Sequence, residues 1–475
     1  MLQKQIRSIS SSTNKIRLTL QPASAWMAIL GFIVFSALCI LGGAGGILNL
    51  AFPVAAFAVG VFLYFRYPIH YIGFSWWMWF ITPLVRRLVD YRSGFNDPSP
   101  ILLAPYLVIL VAIFSLWQHL PKTYYQGGLP FILSFVGVLY GYLIGLIKSS
   151  PIPATIALLE WLIPLLFGFH LFVNWRNYPQ YRQNIERVFV WGVITMGTYG
   201  IIQYLVAPEW DRFWLKNTGM ISVGSPEPLG IRVWSTMHSP GVFGIVIAAG
   251  LLLLINQQGA LRLPASMVGY LAFLLSLVRA AWVMWLIGLF AHISSLKSKH
   301  QIRLIIVFTM MAIMLVPLVS IESFSEIITS RISTFSSIQN DGSATGRLVA
   351  YSIFFNNPLL TLVGYGIGNV PGLLAWDSGV LIILFALGWL GSILYLGGIL
   401  LIFFRLLQDS KVSLDPFFSI ARAISFGSFL TLIFGSQHLG APGVILWGFL
   451  GLGMAASKYY HHQYYHHQFK ATLRK

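Results

Sequence analysis

The chain alternates long apolar runs with short polar breaks, and the spacing of those breaks predicts a bundle of membrane helices. Spans are predicted at about Ala25–Leu41, a second closing near Arg66, then Tyr71–Val85, Pro100–Leu120, Leu129–Ile147, Thr155–Val173 and Val188–Val206. After a polar interval at 207–239 the runs resume at Pro240–Ile255, Leu263–Val278, Ala280–His292 and Leu304–Ser320. A longer polar interval, 321–377, precedes Ser378–Phe404, Phe417–Phe434 and Val444–Ala456. The expected architecture is an all-α polytopic membrane protein of about 14 helices (about 12 to 14), with a large extracytoplasmic loop. The count turns on Tyr71–Val85, which is short and carries the interfacial residues Trp76, Trp77 and Trp79. The segments are then a basic N-terminus 1–22, membrane helices 23–206, an outer loop 207–239, helices 240–320, the large outer loop 321–377, helices 378–457 and a tail 458–475.

Composition reinforces this reading and excludes others. The chain is 57% hydrophobic and 9% charged, with a mean hydropathy of +0.76, whereas soluble domains carry about 25% charged residues. The lone Cys39 allows no intramolecular disulfide and no cysteine metal site. A net charge of +17 raises nucleic acid as a partner, but that needs a basic patch on a folded domain. Here the cations punctuate apolar runs. Alternating the loops across the membrane puts twenty Lys/Arg and three acidic residues on the cytoplasmic side, and ten of each on the other. Both termini and the Arg176, Arg182, Arg187 cluster then lie inside, as positive-inside bias requires. Arg86, Arg87 and Arg92 fall outside, against that bias. The first run is too long for a signal-peptide core and reads as an uncleaved first helix. The tandem Tyr459-Tyr460-His461-His462-Gln463, repeated at 464–468, reads as an aromatic interfacial collar in preference to a metal site.

Chemistry in such a chain belongs where polar groups meet water, so the outer loops are the place to look. Arg279, between two apolar helices, costs at least about 2.5 kcal/mol if it faces lipid at mid-depth. It has two readings, a snorkelling anchor and an anion ligand. Arg347, after Gly346, pairs with Asp341 on one reading; on the other it offers a guanidinium fork to phosphate oxygens. Arg232 is a third cation on that face. Asp377, before Ser378, is either a helix cap or a carboxylate that orients an acceptor hydroxyl. His238 and His438 lie near helix ends as secondary candidates for general bases. Gly388 and Gly391 read as helix packing, and the run Gly364-Tyr365-Gly366-Ile367-Gly368-Asn369 as a turn rather than a dinucleotide loop. No ligand spacing or nucleotide motif calls for a metal or cofactor.

The order of these features resembles the O-antigen ligase/polymerase family of bacterial envelope glycosyltransferases. Val278-Arg279-Ala280-Ala281-Trp282 is similar to its Ser-Arg-Gly-x-Trp hairpin, and Gly346-Arg347, Pro358 and Gly364-x-Gly-x-Gly-Asn to its large outer-loop motif. Asp377-Ser378-x9-Gly388-x-x-Gly391 is similar to its His-[Asn/Ser/Gln]-x9-Gly-x-x-Gly element, and the likeness covers about residues 230–405. The resemblance implies transfer or polymerisation of an oligosaccharide from a polyprenyl diphosphate carrier to a glycan or lipid-linked acceptor. It places the active face outside a bacterial cytoplasmic membrane and needs no metal, cofactor or nucleic acid. On it, Arg279, Arg347 and Arg232 hold the diphosphate and Asp377 serves the acceptor. Asp377 stands where ligases carry His, which turns the resemblance toward a polymerase or a divergent transferase; Ala280 replaces the hairpin Gly. The rival class is a polytopic transporter of small molecules or anions, for which buried charges are also expected.

Overall fold

A backbone in lipid must bond to itself, and each apolar run on the described residues accordingly folds as helix. The computed structural model describes residues 22–148, 150–220, 223–294, 301–302, 342–356, 358–370, 378–409 and 415–472, without side chains for 342–348, 358–360 and 465–472. In order, the helices are α1 Ala23–Leu41, α2 Gly45–Arg66, α3 Pro68–Ser93, α4 Ala104–Leu110, α5 Ile113–Thr123, α6 Leu129–Lys148, α7 Pro151–Val173, α8 Tyr178–Val206 and α9 Glu209–Thr218. They continue with α10 Pro240–Leu254, α11 Arg262–Leu275, α12 Arg279–Ser294, α13 Gly342–Phe355, α14 Pro358–Val363, α15 Gly379–Gln408, α16 Pro416–Leu430 and α17 Gly440–Thr472. Nine segments among the described residues are long and apolar enough to cross a membrane, so the chain is a helical, multi-pass membrane protein. The helices α10, α11 and α12 are apolar but shorter. The expected span 304–320 lies outside the described residues, as does the loop from 321 to 341 and from 371 to 377.

The Trp-rich segment is part of a continuous 26-residue helix, α3. Gly45 at the start of α2 abuts Val89 and Ser93 at the end of α3, so the two run antiparallel. Gly73 meets Asn184 and Val188 while Gly192 meets Phe80, so α3 runs parallel to α8. Its Trp, Tyr, His and Pro residues make it less apolar than the nine spans, and the charges at its end are satisfied internally. Arg86, 3% exposed, bonds to Asp90 and Asp97 at 3.2 Å each. Arg87, 1% exposed, bonds to Asp211 at 2.7 Å. Two of the three arginines expected outside against the charge bias are thus held in buried ion pairs.

The bundle has two polar ends. The tail end gathers Arg182, Glu186, Asp415, Asp409 and Lys458: Asp415 accepts from Tyr178 at 2.6 Å, Arg182 at 2.9 Å and Tyr460 at 3.1 Å, and caps α16 through the Phe417 N–H. Within the expected tail, 458–475, α17 continues to Thr472, with no Gly or Pro in that stretch to stop it. The loop end carries α9, the segment 223–239 and the turn between α11 and α12.

One expected span has a different shape. In α15 the backbone leaves the helix at Gly388 (φ 59, ψ −172), and Ser392 Oγ donates to the Ile383 carbonyl at 3.1 Å. In a straight helix those positions are about 13 Å apart along the axis, so the chain folds back on itself there. A short arm, 379–387, leads into a long arm, 389–408. Gly364–Gly368 wedges against the bend: Tyr365 and Gly366 donate to the carbonyls of Phe385 and Ala386 at 2.7 and 3.0 Å, and Ile367 to that of Gly141 at 2.9 Å. Gly366 has positive φ and its Cα presses on the Gly145 backbone of α6, where a Cβ has no room.

Candidate functional site

Arg232 leaves the loop 223–239 beside an isolated bridge between Gly224 and Ile231, and its guanidinium reaches the turn between α11 and α12. There it donates to the carbonyls of Leu277 at 3.1 Å and Ser276 at 3.4 Å. Those carbonyls are orphaned because the helix ends, with Leu277 in the left-handed region at φ 54. The next helix opens two residues later on Arg279, which is half-buried. So two of the sequence-predicted arginines share one hairpin, with the guanidinium of Arg232 against its backbone.

The loop carrying Arg232 is fixed by the buried pair beneath it. Gln203 accepts from the backbone N–H groups of Trp234 at 3.0 Å and Ser235 at 2.8 Å and donates to Asp211 at 2.8 Å. His238 lies edge-on to Trp214 with ring centroids 5.6 Å apart. Burial first, then repulsion from Arg86 and Arg87, pulls its pKa down to about 4, so it is neutral at physiological pH. A neutral imidazole suits a base, but its neighbours are the supports of the loop.

The remaining residues sit around the short arm of α15. Ser378 caps it, its hydroxyl accepting from Leu381 N–H at 3.4 Å, while the Gly379 N–H donates to the Gly435 carbonyl at 3.0 Å. The 3₁₀ turn Thr431–Phe434 touches both α12 and α15, linking the end that bears Arg279 to the arm that follows Asp377. Helix α13, which carries Arg347 in its second turn, packs Ala350 and Phe354 on Leu381, Leu384 and Phe385 of the same arm. Asp377 itself lies outside the described residues. The capping role weighed for it is filled by Ser378. The glycines at 364, 366 and 388 serve close backbone approach, as turn and bend.

His438 is fully buried between the ring of Trp161, centroids 4.5 Å away, and that of Tyr395, 6.3 Å away. Its Nδ1 would lie 3.1 Å from a Cβ on Gly379. Among the described residues neither ring nitrogen has a hydrogen-bond partner. Burial pushes its pKa down to about 3, so one nitrogen carries a proton and the other a lone pair, and both are unsatisfied. The short arm thus starts deep in the bundle, at the level of Tyr395.

Two features were missed in the sequence. Glu160 interrupts the apolar run of α7 ten residues in, a signal available from the outset because an ionisable group within a span is unusual. The Arg87–Asp211 pair joins positions far apart in sequence, and no local pattern shows it. No protein-family model matches the chain, and no curated protein matches it either.

Proposed function

We propose that the protein is a membrane glycosyltransferase that moves or polymerises an oligosaccharide from a polyprenyl diphosphate carrier, for surface polysaccharide such as O-antigen or exopolysaccharide. The active face is the loop end, outside the cytoplasmic membrane of a bacterium, and the crossing number is fourteen. The observation that carries this reading is the hairpin at 276–279, where Arg232 and Arg279 converge from separate parts of the chain. The helix bearing Arg347 packs on the arm that follows Asp377. In this reaction the acceptor hydroxyl oxygen attacks the anomeric carbon and the bond from that carbon to the diphosphate oxygen breaks. The diphosphate leaves with the bonding electrons and Asp377 takes the hydroxyl proton. Guanidinium forks aimed at the leaving diphosphate lower the barrier by stabilising the charge that develops on it.

The test is release of polyprenyl diphosphate from a lipid-linked glycan by the protein in nanodiscs. Arg279→Ala and Arg347→Ala should each lower the rate by about a hundredfold or more, on the scale of losing one charge-stabilising donor. Lysine at either position should rescue only partly. Asp377→Asn should lower it comparably with the fold intact. Wild-type rates from both arginine variants would reject the assignment.

The bend at Gly388 favours a second reading, a transporter, because discontinuous helices that begin inside a bundle form substrate and ion sites in secondary transporters. Solute uptake by vesicles free of polyprenyl lipid would support it.

A further inference from the structure

Around the N-terminus of α17 the structure collects polar groups that the hairpin arginines do not explain. Glu160 stands about 14 Å along α7, near its middle, and is half-buried. Among the described residues it has no ion-pair or hydrogen-bond partner, yet it is within electrostatic reach of Tyr106. The Tyr106 hydroxyl would lie 3.3 Å from a Cβ on Gly440, two residues beyond His438. The ring of Trp79 packs edge-on against Tyr106 at 4.9 Å, and its buried indole N–H is unsatisfied among the described residues. Trp161, beside Glu160, packs against His438. The cluster therefore offers one carboxyl acceptor, two unsatisfied nitrogen groups and three aromatic rings. Glu160, Tyr106 and Gly440 are each partly exposed, so the cluster is not sealed inside the bundle.

The chemistry narrows the occupant. A phosphate or carboxylate would meet the Glu160 carboxyl. A metal cation or a proton would leave the indole N–H without an acceptor. A neutral polyhydroxylated ligand satisfies all members at once, its hydroxyls donating to Glu160, accepting from Trp79 and exchanging with His438, its apolar ring faces lying on the aromatic side chains. We propose that Glu160, Tyr106, Trp79, Trp161 and His438 form a saccharide-binding site, distinct from the hairpin arginines, that holds the glycan whose hydroxyl is to be extended. This rests on the glycosyltransferase reading for the ligand's role, though not for its chemical class.

The test uses the full-length protein in nanodiscs with two separate probes. Saturation-transfer NMR is recorded with oligosaccharides of about two to six sugars cut from the surface polysaccharide of the cells that make the protein, and inorganic pyrophosphate binding is measured by calorimetry. Glu160→Gln should weaken saccharide binding about tenfold or more, the scale of a hydrogen bond to a charged group, and leave pyrophosphate binding unchanged. Tyr106→Phe keeps the ring and serves where Glu160→Gln does not fold; it should weaken binding severalfold. Arg279→Ala should do the reverse, losing pyrophosphate and keeping saccharide. No saturation transfer from the wild type, or equal transfer from the Glu160 and Tyr106 variants, overturns this site while leaving the diphosphate reading standing. Saccharide binding without pyrophosphate binding keeps the site and removes the diphosphate donor.

Discussion

Replacing Asp211 with alanine strands Arg87. The guanidinium donates to Asp211 Oδ1 at 2.7 Å and to the Ser235 carbonyl, and lies 5.6 and 5.9 Å from the ring centroids of Trp234 and Tyr199. The other carboxylate oxygen accepts from Tyr199 at 2.9 Å and Gln203 at 2.8 Å, and Asp211 is 0% exposed. Truncation therefore leaves a buried cation with only a carbonyl and removes the acceptor for two further donors. Breaking a buried pair from one side costs about 3–5 kcal/mol, while removing both charges in favour of apolar groups is often close to neutral. Asp211→Ala and Arg87→Met should each fall in or near that range, and the double variant Asp211→Leu with Arg87→Met should recover most of it. With Asp211→Leu and Arg87→Met as the single variants of the cycle, losses of about 3–5 kcal/mol each against a nearly neutral double leave a coupling of about 5 kcal/mol or more. The assay is reversible unfolding in mixed micelles, with far-UV signal followed against denaturing detergent. Additive losses, or an Asp211→Ala variant within about 1 kcal/mol of wild type, would refute the claim that this pair holds the loop. Because Gln203 also fixes the backbone of Trp234 and Ser235, the same variant should disturb the placement of Arg232 and reduce the proposed transfer activity even where enough protein remains folded.

His238 predicts a pH dependence. Its folded pKa of about 4 lies below the ordinary value near 6.5, so the unfolded chain binds the proton more readily. Its contribution is full above pH 6.5 and falls as pH drops toward 4, by a few kcal/mol in all. A His238→Gln variant should show a smaller loss of stability across that window than wild type in thermal melts, and an identical loss would count against the buried imidazole. Gly388→Ala forces φ 59 on a residue with a Cβ that would lie 2.5 Å from the Gly364 nitrogen. It should lower folded yield sharply, by several kcal/mol of strain and displacement, whereas Gly397→Ala on the same helix, with open space around it, should be neutral in the same yield measurement.

Much of the fold was legible because lipid leaves a backbone little choice. Apolar runs and the breaks between them located α1, α2, α6, α7 and α8 to within a few residues at most ends. The start of α8 was missed by ten residues, because Tyr178–Arg187 is polar and its helix is held by packing and by the Asp415 bonds. The bend at Gly388 was hidden for a different reason. Its glycines also fit plain helix packing, and only the non-local bonds from Tyr365 and Gly366 distinguish the two. Of the candidate site, Arg232 and Arg279 were each readable as outer cations, but their convergence depends on a carbonyl freed by the left-handed Leu277. Charge counting treated Arg86 and Arg87 as bare cations on the wrong side. In the fold both are buried and held in ion pairs with Asp90, Asp97 and Asp211, so neither stands as an exposed loop cation.

The bend in α15 bears on which reading of the site is physically better founded. An alternating-access mechanism moves one bundle against another around a discontinuous helix, and the elements touching that helix must then slide. Here the bend is tied from outside by backbone bonds: Tyr365 and Gly366 to the short arm, Ile367 to α6. Tyr140 of α6 adds a bond to the Val363 carbonyl at 3.0 Å, and Lys148 one to that of Gly364 at 2.7 Å. Any relative motion of the two arms and α6 would break several of these in a region where water is scarce, and each unmade bond there costs on the order of 1–3 kcal/mol. A bend pinned in this way holds a fixed depth and direction for the start of the short arm. That suits a reaction needing reactants held at one place, where misplacement by an ångström costs heavily in rate, better than it suits a gate.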